Sequence, residues 1–461
     1  ALPAELRAPE TERNEALARV RHGEVLRVQG KRDEARKALD IAVASLDALR
    51  ARGDSSEAAA IGLSVGLIAQ SSLVDYAGTS RDALLLSERA VAVLTPLAEG
   101  PGTSVGLRRS RAQALTDLGF VHSRQQQSEA AVVSLRAALA AYRSIDDLQA
   151  DSHAMASFGI ATAWLVEVFG RLDRPEDAEY AVAEGLGVTT RLLEREPTNM
   201  LALRARAMIR LGETVVAAER LQPSRRLAAA EGATSDWTQL SRIDPGNIVA
   251  RHNLVGSRLF GGAALWELGR TRDAMAKCME AREFEPLAAA SSSIADRLAH
   301  TFRLGSSLAA DLGQAAGAEL LLADYSRHVE TVLRGLPPNS FDVNIRRASA
   351  SVAGVEIANL LGDWSRARAL SKGLRERLLE LQPTDAFGRA RVAGVLHSLH
   401  NALGWAELQA GHYAAAQGHF SHVAEARKLL PARTLRQQLE AAGDSALLAI
   451  TMAHSGRLDE A

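Results

Sequence analysis

Four histidines near the C-terminal end of this 461-residue chain have the spacing that metal chemistry would use. His397 and His400 stand one helical turn apart, as do His419 and His422, and Gly411 lies eleven residues from both His400 and His422. On two antiparallel helices joined at Gly411 these rings would reach similar height, and imidazole nitrogens are good zinc ligands. The spacing supplies no carboxylate to complete or orient such a set, so they read as packing and surface residues: His400 between helices, His419 and His422 facing outward. No metal and no cofactor are expected. Cys278, the sole thiol, falls where a second helix should pack and has no His or basic partner at helical spacing, which makes it a small inert hydrophobe. A single cysteine also excludes a disulfide framework. The chain has no Gly-rich phosphate loop ending in Lys-Ser/Thr, no zinc-protease histidine pair and no nucleophile elbow. It is not expected to be an enzyme.

What would position any such residue is a repeat. A phrase of Gly, a few polar residues and then Ala recurs as Gly30–Ala35, Gly78–Ala83, Gly269–Ala274, Gly313–Ala318, Gly362–Ala367, Gly411–Ala416 and Gly456–Ala461. A stretched form runs from Gly170 to Ala178, and forms without the glycine fall near Gln126 and Glu219. The period is about 47 residues, inside the range of solenoid repeats. The Gly ends one helix in the left-handed conformation, a following Asp or Ser caps the next, and the Ala lets two helices approach. Small residues upstream, at Leu118-Gly119, Leu211-Gly212, Gly261-Gly262 and Leu403-Gly404, mark a close helix crossing. Phrases such as Glu196-Pro197-Thr198-Asn199 and Asp244-Pro245-Gly246-Asn247 stop second helices and cap the next first helix.

These features resemble the tetratricopeptide repeat family. The segment from His400 to about Pro431 carries Leu403-Gly404, Gly411, Tyr413, Ala416, Phe420 and Val423-Ala424 in the family's spacing, and the unit around Gly261-Gly262, Gly269, Ala274, Ala281 and Pro286 is similar. The resemblance implies an all-α fold, an α-α superhelix: a right-handed solenoid of antiparallel helix pairs, first helices lining the concave side and second helices the convex. The longer period predicts helices of roughly 18–22 residues. Residues 1–461 are expected to form one continuous solenoid of about ten pairs, weakest near 219–247 and with its last pair truncated. The chain begins with Ala1 and stops inside a repeat phrase, so it reads as an excerpt of something longer.

Composition limits the partners. Lys and Arg number 54 against 55 Asp and Glu, so charge gives no reason to expect nucleic acid or an anionic membrane. No stretch approaches the length of uninterrupted apolar residues that spans a bilayer, and no signal-peptide pattern is present. Hydrophobic residues are 47% but aromatics only 4%, so the few rings stand out. Phe120, Trp164, Trp266 and Trp405 stand on or near the first-helix face that lines the groove in the family, and they are the candidate partner contacts, because aromatics dominate interface hot spots. Longer helices would turn the same rings inward, and core placement is the expectation. Glu24, Glu213 and Glu356 are the carboxylates placed to select a partner. The expected function is a scaffold that takes a protein or peptide in its concave groove. The alternative is the regulatory region of a larger bacterial signalling protein, such as a Ser/Thr protein kinase, with catalysis elsewhere. A cytoplasmic location is expected, an extracytoplasmic region of a membrane-anchored protein being the other reading.

Overall fold

The structure, a computed structural model, describes residues 9–29, 31–75, 80–98, 102–145, 148–383, 386–430 and 435–454. Among them there is no strand. Residues 1–212 and 213–461 form two compact units, the boundary falling inside a helix. The first contains α1 (Pro9–Val28) with α2 (Arg32–Ala51), α3 (Glu57–Asp75) with α4 (Ser80–Ala98), α5 (Val105–Arg124) with α6 (Ser128–Arg143), α7 (Ser152–Arg171) with α8 (Pro175–Arg195), and the start of α9 (Met200–Glu219). The second continues with α10 (Pro223–Ile243), then α11 (Ile248–Glu267) with α12 (Thr271–Met279). A 3-10 turn at Glu280–Phe284 and α13 (Glu285–Ala288) lead to α14 (Ser292–Asp311), paired with α15 (Ala315–Leu333). Next come α16 (Phe341–Leu360), α17 (Trp364–Ser371) and α18 (Leu374–Leu379). α19 (Ala386–Gln409), α20 (Tyr413–Arg427) and α21 (Leu435–His454) follow.

Most helices have the length the period predicts, but two second helices are broken. Pro286 follows the 3-10 turn that interrupts one, and Gly373, at φ 70°, separates α17 from α18. Proline cannot supply the missing amide hydrogen bond, and glycine alone adopts that φ without strain.

Where the turn inside a pair is described, it is a Schellman motif. At the third-from-last pair it is closed by Gln314 N–H to Ala309 O at 2.8 Å, and the same bond recurs from Arg270 to Leu265 and from His412 to Glu407. Gly269, Gly313, Gly362 and Gly411 hold the left-handed position at φ 70° to 78°. Three other pairs place Gln126, Asp173 and Leu221 there, at φ 54° to 63°. The stretched turn at Gly170 is therefore a misreading: Gly170 lies within α7, and Asp173 stands the usual five residues before Ala178. At the turn expected near Glu219 the left-handed residue is Leu221. Gly30, Gly78 and the Gly456 phrase lie outside the described residues.

A side chain in this conformation costs roughly 1–2 kcal/mol, which glycine avoids. Leu221→Gly, whose side chain is largely exposed, should raise stability by about 1 kcal/mol, and Gly411→Ala should lower it by about as much. Urea denaturation of each variant measures both signs.

Side-chain caps sit mostly at the first helices: Ser104, Asp151, Asn247, Ser291 and Ser340 each accept from the amide three residues on. The expected capping of second helices occurs at Asp363, whereas Gln127, Arg174, Gln222, Arg270, Gln314 and His412 make no such bond.

The close crossing has a fixed register. Gly23 faces Leu39, Gly119 faces Leu135, Gly262 faces Cys278 and Gly404 faces Phe420, always sixteen residues on. A Cβ on Gly404 would lie 2.7 Å from the Phe420 ring, and one on Gly119 2.6 Å from Leu135. Where neither partner is large, Ser71 and Ser87 share a hydrogen bond of 2.9 Å, and Ser71 Oγ donates to Ala83 O. Size is thus conserved across the pair, as close packing requires. Gly212 serves a different crossing, since a Cβ there would meet Val166 of the preceding first helix at 2.7 Å.

The segment Glu57–Val74 of α3 is long and apolar enough to cross a membrane, although polar residues interrupt it. Its apolar residues are used within the unit: Ala59, Ala60, Leu63, Leu67 and Leu73 are buried against residues of α1, α2, α4 and α5.

Candidate functional site

Within residues 1–212, one face of the first helices is neither core nor open surface. Ile61, Val65 and Ile68 of α3 are only partly buried. Phe120 of α5 and Trp164 of α7, both half-buried, meet with ring centroids 4.6 Å apart and planes tilted by 50°. One turn before Phe120 stands Asp117, which accepts from Gln113 Nε2 at 3.0 Å. Burial pushes its carboxyl up to about 6, with the Gln113 bond and Arg27 opposing and Glu24 adding to the rise. Burial also raises Glu24, against the pull of Arg27 and Arg21. Glu24 and Arg27 belong to α1, and α3 lies between α1 and α5. Their charges act on Asp117 across α3. A cavity of about 490 Å3, lined by Arg21, Glu24, Val25, Arg27 and Gln29, opens along α1.

Residues 213–461 curve, bringing distant repeats together. Arg436 of α21 donates to Glu267 of α11 at 3.0 Å, although α14, α16 and α19 intervene in the chain. The same carboxylate receives Arg226 at 2.6 Å. Arg226 is itself unusual. It occupies the position that is Ala in the other turns (Ala131, Ala178, Ala274, Ala318, Ala367 and Ala416 are fully buried) and is nearly buried there, which a charge tolerates only with a partner. The sequence shows this as the one Arg in a column of alanines.

Two of the four candidate rings in the sequence are not core. Trp405 is 37% exposed and packs edge-on against Phe420, centroids 6.4 Å apart, while Trp266 is 40% exposed and donates Nε1–H to Asp311 at 2.9 Å. Phe120 and Trp164 lie between core and surface. The fully buried tryptophan is Trp237 of α10. The carboxylates Glu213 and Glu356 are not free to choose a partner: Glu213 pairs with Arg225 and Glu356 with Arg303, each at 2.9 Å. Neighbouring helices of this repeat supply arginines that one-dimensional spacing does not reveal. Asp117 carries no signal in the sequence, because burial by neighbouring helices leaves no mark on residue type.

Three of the histidines cluster. His400 is buried, its Nδ1 lies 3.1 Å from Nδ1 of His419, and its ring centroid is 4.7 Å from that of His422. Burial, His422, His419 and Arg375 together drive His400 down to about 3. His422 is exposed as expected, but His419 is half-buried and bonded to His400 instead of facing outward. His397 turns the other way, to Asp444 at 2.9 Å, which Arg427 also meets at 3.3 Å. No group of three or more His, Cys, Asp or Glu among the described residues is arranged to hold a metal ion. Cys278 is buried against Gly262, and burial pushes its thiol up to about 12, which leaves it protonated.

No protein-family model matches the sequence, and no curated protein is similar to it. Solved structures are. The apo form of RapI superposes with a TM-score of 0.58 at 12% identity, over 91% of this chain and 97% of that one. The chain has a tetratricopeptide-like helical-repeat fold. More distant matches are a Rap protein complexed with Competence and Sporulation Factor and a tetratricopeptide repeat protein from Parabacteroides merdae. The former has a TM-score of 0.49 at 11% identity over 90% of this chain and 98% of that one. The latter has 0.33 at 15% identity over 84% and 98%. At such identities the tetratricopeptide-like likeness is one of fold.

Proposed function

We propose that this chain is a non-catalytic scaffold whose first-helix faces bind a polypeptide, an extended peptide or a helix of a partner protein. The observation that carries this reading is the first-helix face of residues 1–212, where the half-buried Phe120–Trp164 pair, the partly buried Ile61, Val65 and Ile68, and Asp117 stand on α3, α5 and α7. Half-buried aromatics beside a few fixed polar groups are what interface hot spots are made of. Trp405 offers a second exposed ring on the first helices of residues 213–461.

Peptides selected from a random display library on the full chain test it. Trp164→Ala or Trp405→Ala should weaken the selected peptides by about 10- to 100-fold, the range of hot-spot aromatics, with helical circular dichroism unchanged. Selection that yields no binder, or binders indifferent to both substitutions, would count against the groove.

A further inference from the structure

The first-helix face of α11, α14 and α16 carries an unusual arginine. Arg297 lies flat on α11, its Nε, Cδ and Cζ 3.6 to 3.8 Å from where a Cβ on Gly256 would be. Its Nε donates to Nε2 of His252 at 3.4 Å. His252 can accept because its Nδ1 donates to the Ser293 carbonyl at 3.0 Å, which fixes the tautomer. The guanidinium is therefore held from one side, and it makes no ion pair among the described residues.

Its neighbours are already matched. Asp296 takes Arg346 at 2.5 Å, and Glu356 takes Arg303 at 2.9 Å. His300, one turn from Asp296, is held low by the packing around its ring and by Arg297, Arg303 and Arg346, with Asp296 opposing. Three guanidiniums thus face two carboxylates around a neutral imidazole, leaving one positive charge, on Arg297, uncompensated. Burial lowers Arg297 itself, so the site is desolvated as well as positive.

We infer that Arg297 is the anion-recognition residue of this groove and takes one side-chain carboxylate of an acidic polypeptide segment, its two free Nη groups donating in parallel to the two oxygens. The surplus decides the ligand. One charge matches one carboxylate, whereas a phosphodiester chain would meet the flanking Asp296 and Glu356 and find too few cations. This rests on the reading of the first-helix face as a polypeptide-binding surface.

The test is the composition and Arg297-dependence of peptides selected from a random display library on the full chain. Enrichment in Asp or Glu is expected, with a loss of at least 10-fold in affinity on replacing that residue by its amide or on Arg297→Ala. Arg297→Lys keeps the charge but not the fork, and should recover only part of the loss. Circular dichroism of both variants checks that they fold. Peptides that bind but show no acidic preference, or ignore both Arg297 variants, overturn this inference and leave the scaffold reading standing. Displacement of the peptides by a single-stranded oligonucleotide at lower concentration than by an acidic peptide overturns it too. If no peptide is selected at all, both readings fail.

Discussion

Phe420→Ala should cost about 3–5 kcal/mol, the range for emptying a buried aromatic site. Phe420 is fully buried on α20, and its ring lies where a side chain on Gly404 would be. Trp405 also rests on it edge to face, so the loss includes an aromatic contact. The converse change is informative because of the register. Gly404→Ala puts a methyl 2.7 Å from the ring and should destabilise by about 1–3 kcal/mol, as overpacking does. In the Phe420→Ala background the same methyl enters the vacated space, and Gly404→Ala should then be neutral or stabilising. Guanidinium unfolding of the four proteins in a double-mutant cycle reads the coupling. Additive effects would show that the sixteen-residue pairing does not set the crossing.

Mild acid should act in opposite directions on the two units. In residues 213–461 burial lowers His252, His300, His328, His400 and His419. A histidine whose folded pKa is depressed binds its proton first in the unfolded chain. The stability it contributes is whole above 6.5 and is lost as pH falls from 6.5 towards the folded value. With His400 at about 3, the loss from this group alone at pH 5 is about 2 kcal/mol. His328, packed against Phe302 with neither ring nitrogen hydrogen-bonded to protein, adds to it.

In residues 1–212 Asp54 and Glu196 are lowered by their hydrogen bonds, but the two acids that burial raises go the other way. Asp117 is raised to about 6 and Glu24 is raised, so their ionised forms oppose folding at neutral pH. Their contribution is lost as pH rises through the folded pKa and returns as pH falls below it, which for Asp117 is about 1 kcal/mol gained between pH 7 and 5. Hydrogen exchange at pH 7 and 5, corrected for the intrinsic rate, should show protection falling in α14, α15, α19 and α20 but held or increased in α1 to α5. His400→Leu should remove part of the response of α19 and α20. A uniform loss across both units would contradict it.

Little of this electrostatics could be read from residue order. His400 was legible as a packed residue, because position in a helical period predicts burial. The bond to His419 was not, since it depends on how α19 and α20 rotate against each other. Glu213 and Glu356 stood out as carboxylates on the right face, and the arginines that occupy them come from α10 and α14.

The sequence by itself determined the helix pairs, their period of about 47 residues and the positions of the glycine turns, because these follow from local backbone preference and apolar periodicity. It also marked Gly119, Gly262 and Gly404 as close crossings, since a glycine inside a helix has little other reason to be there. Only the tertiary structure decided that Gln126, Asp173 and Leu221 take the left-handed turn without glycine, where packing on both sides holds a strained residue in place. It alone decided which rings remain accessible, because burial depends on the rotation of long helices about their axes. And it alone placed Asp117 and Arg297 where neighbouring helices shield them, because that burial depends on how the pairs stack and is a property of no single segment.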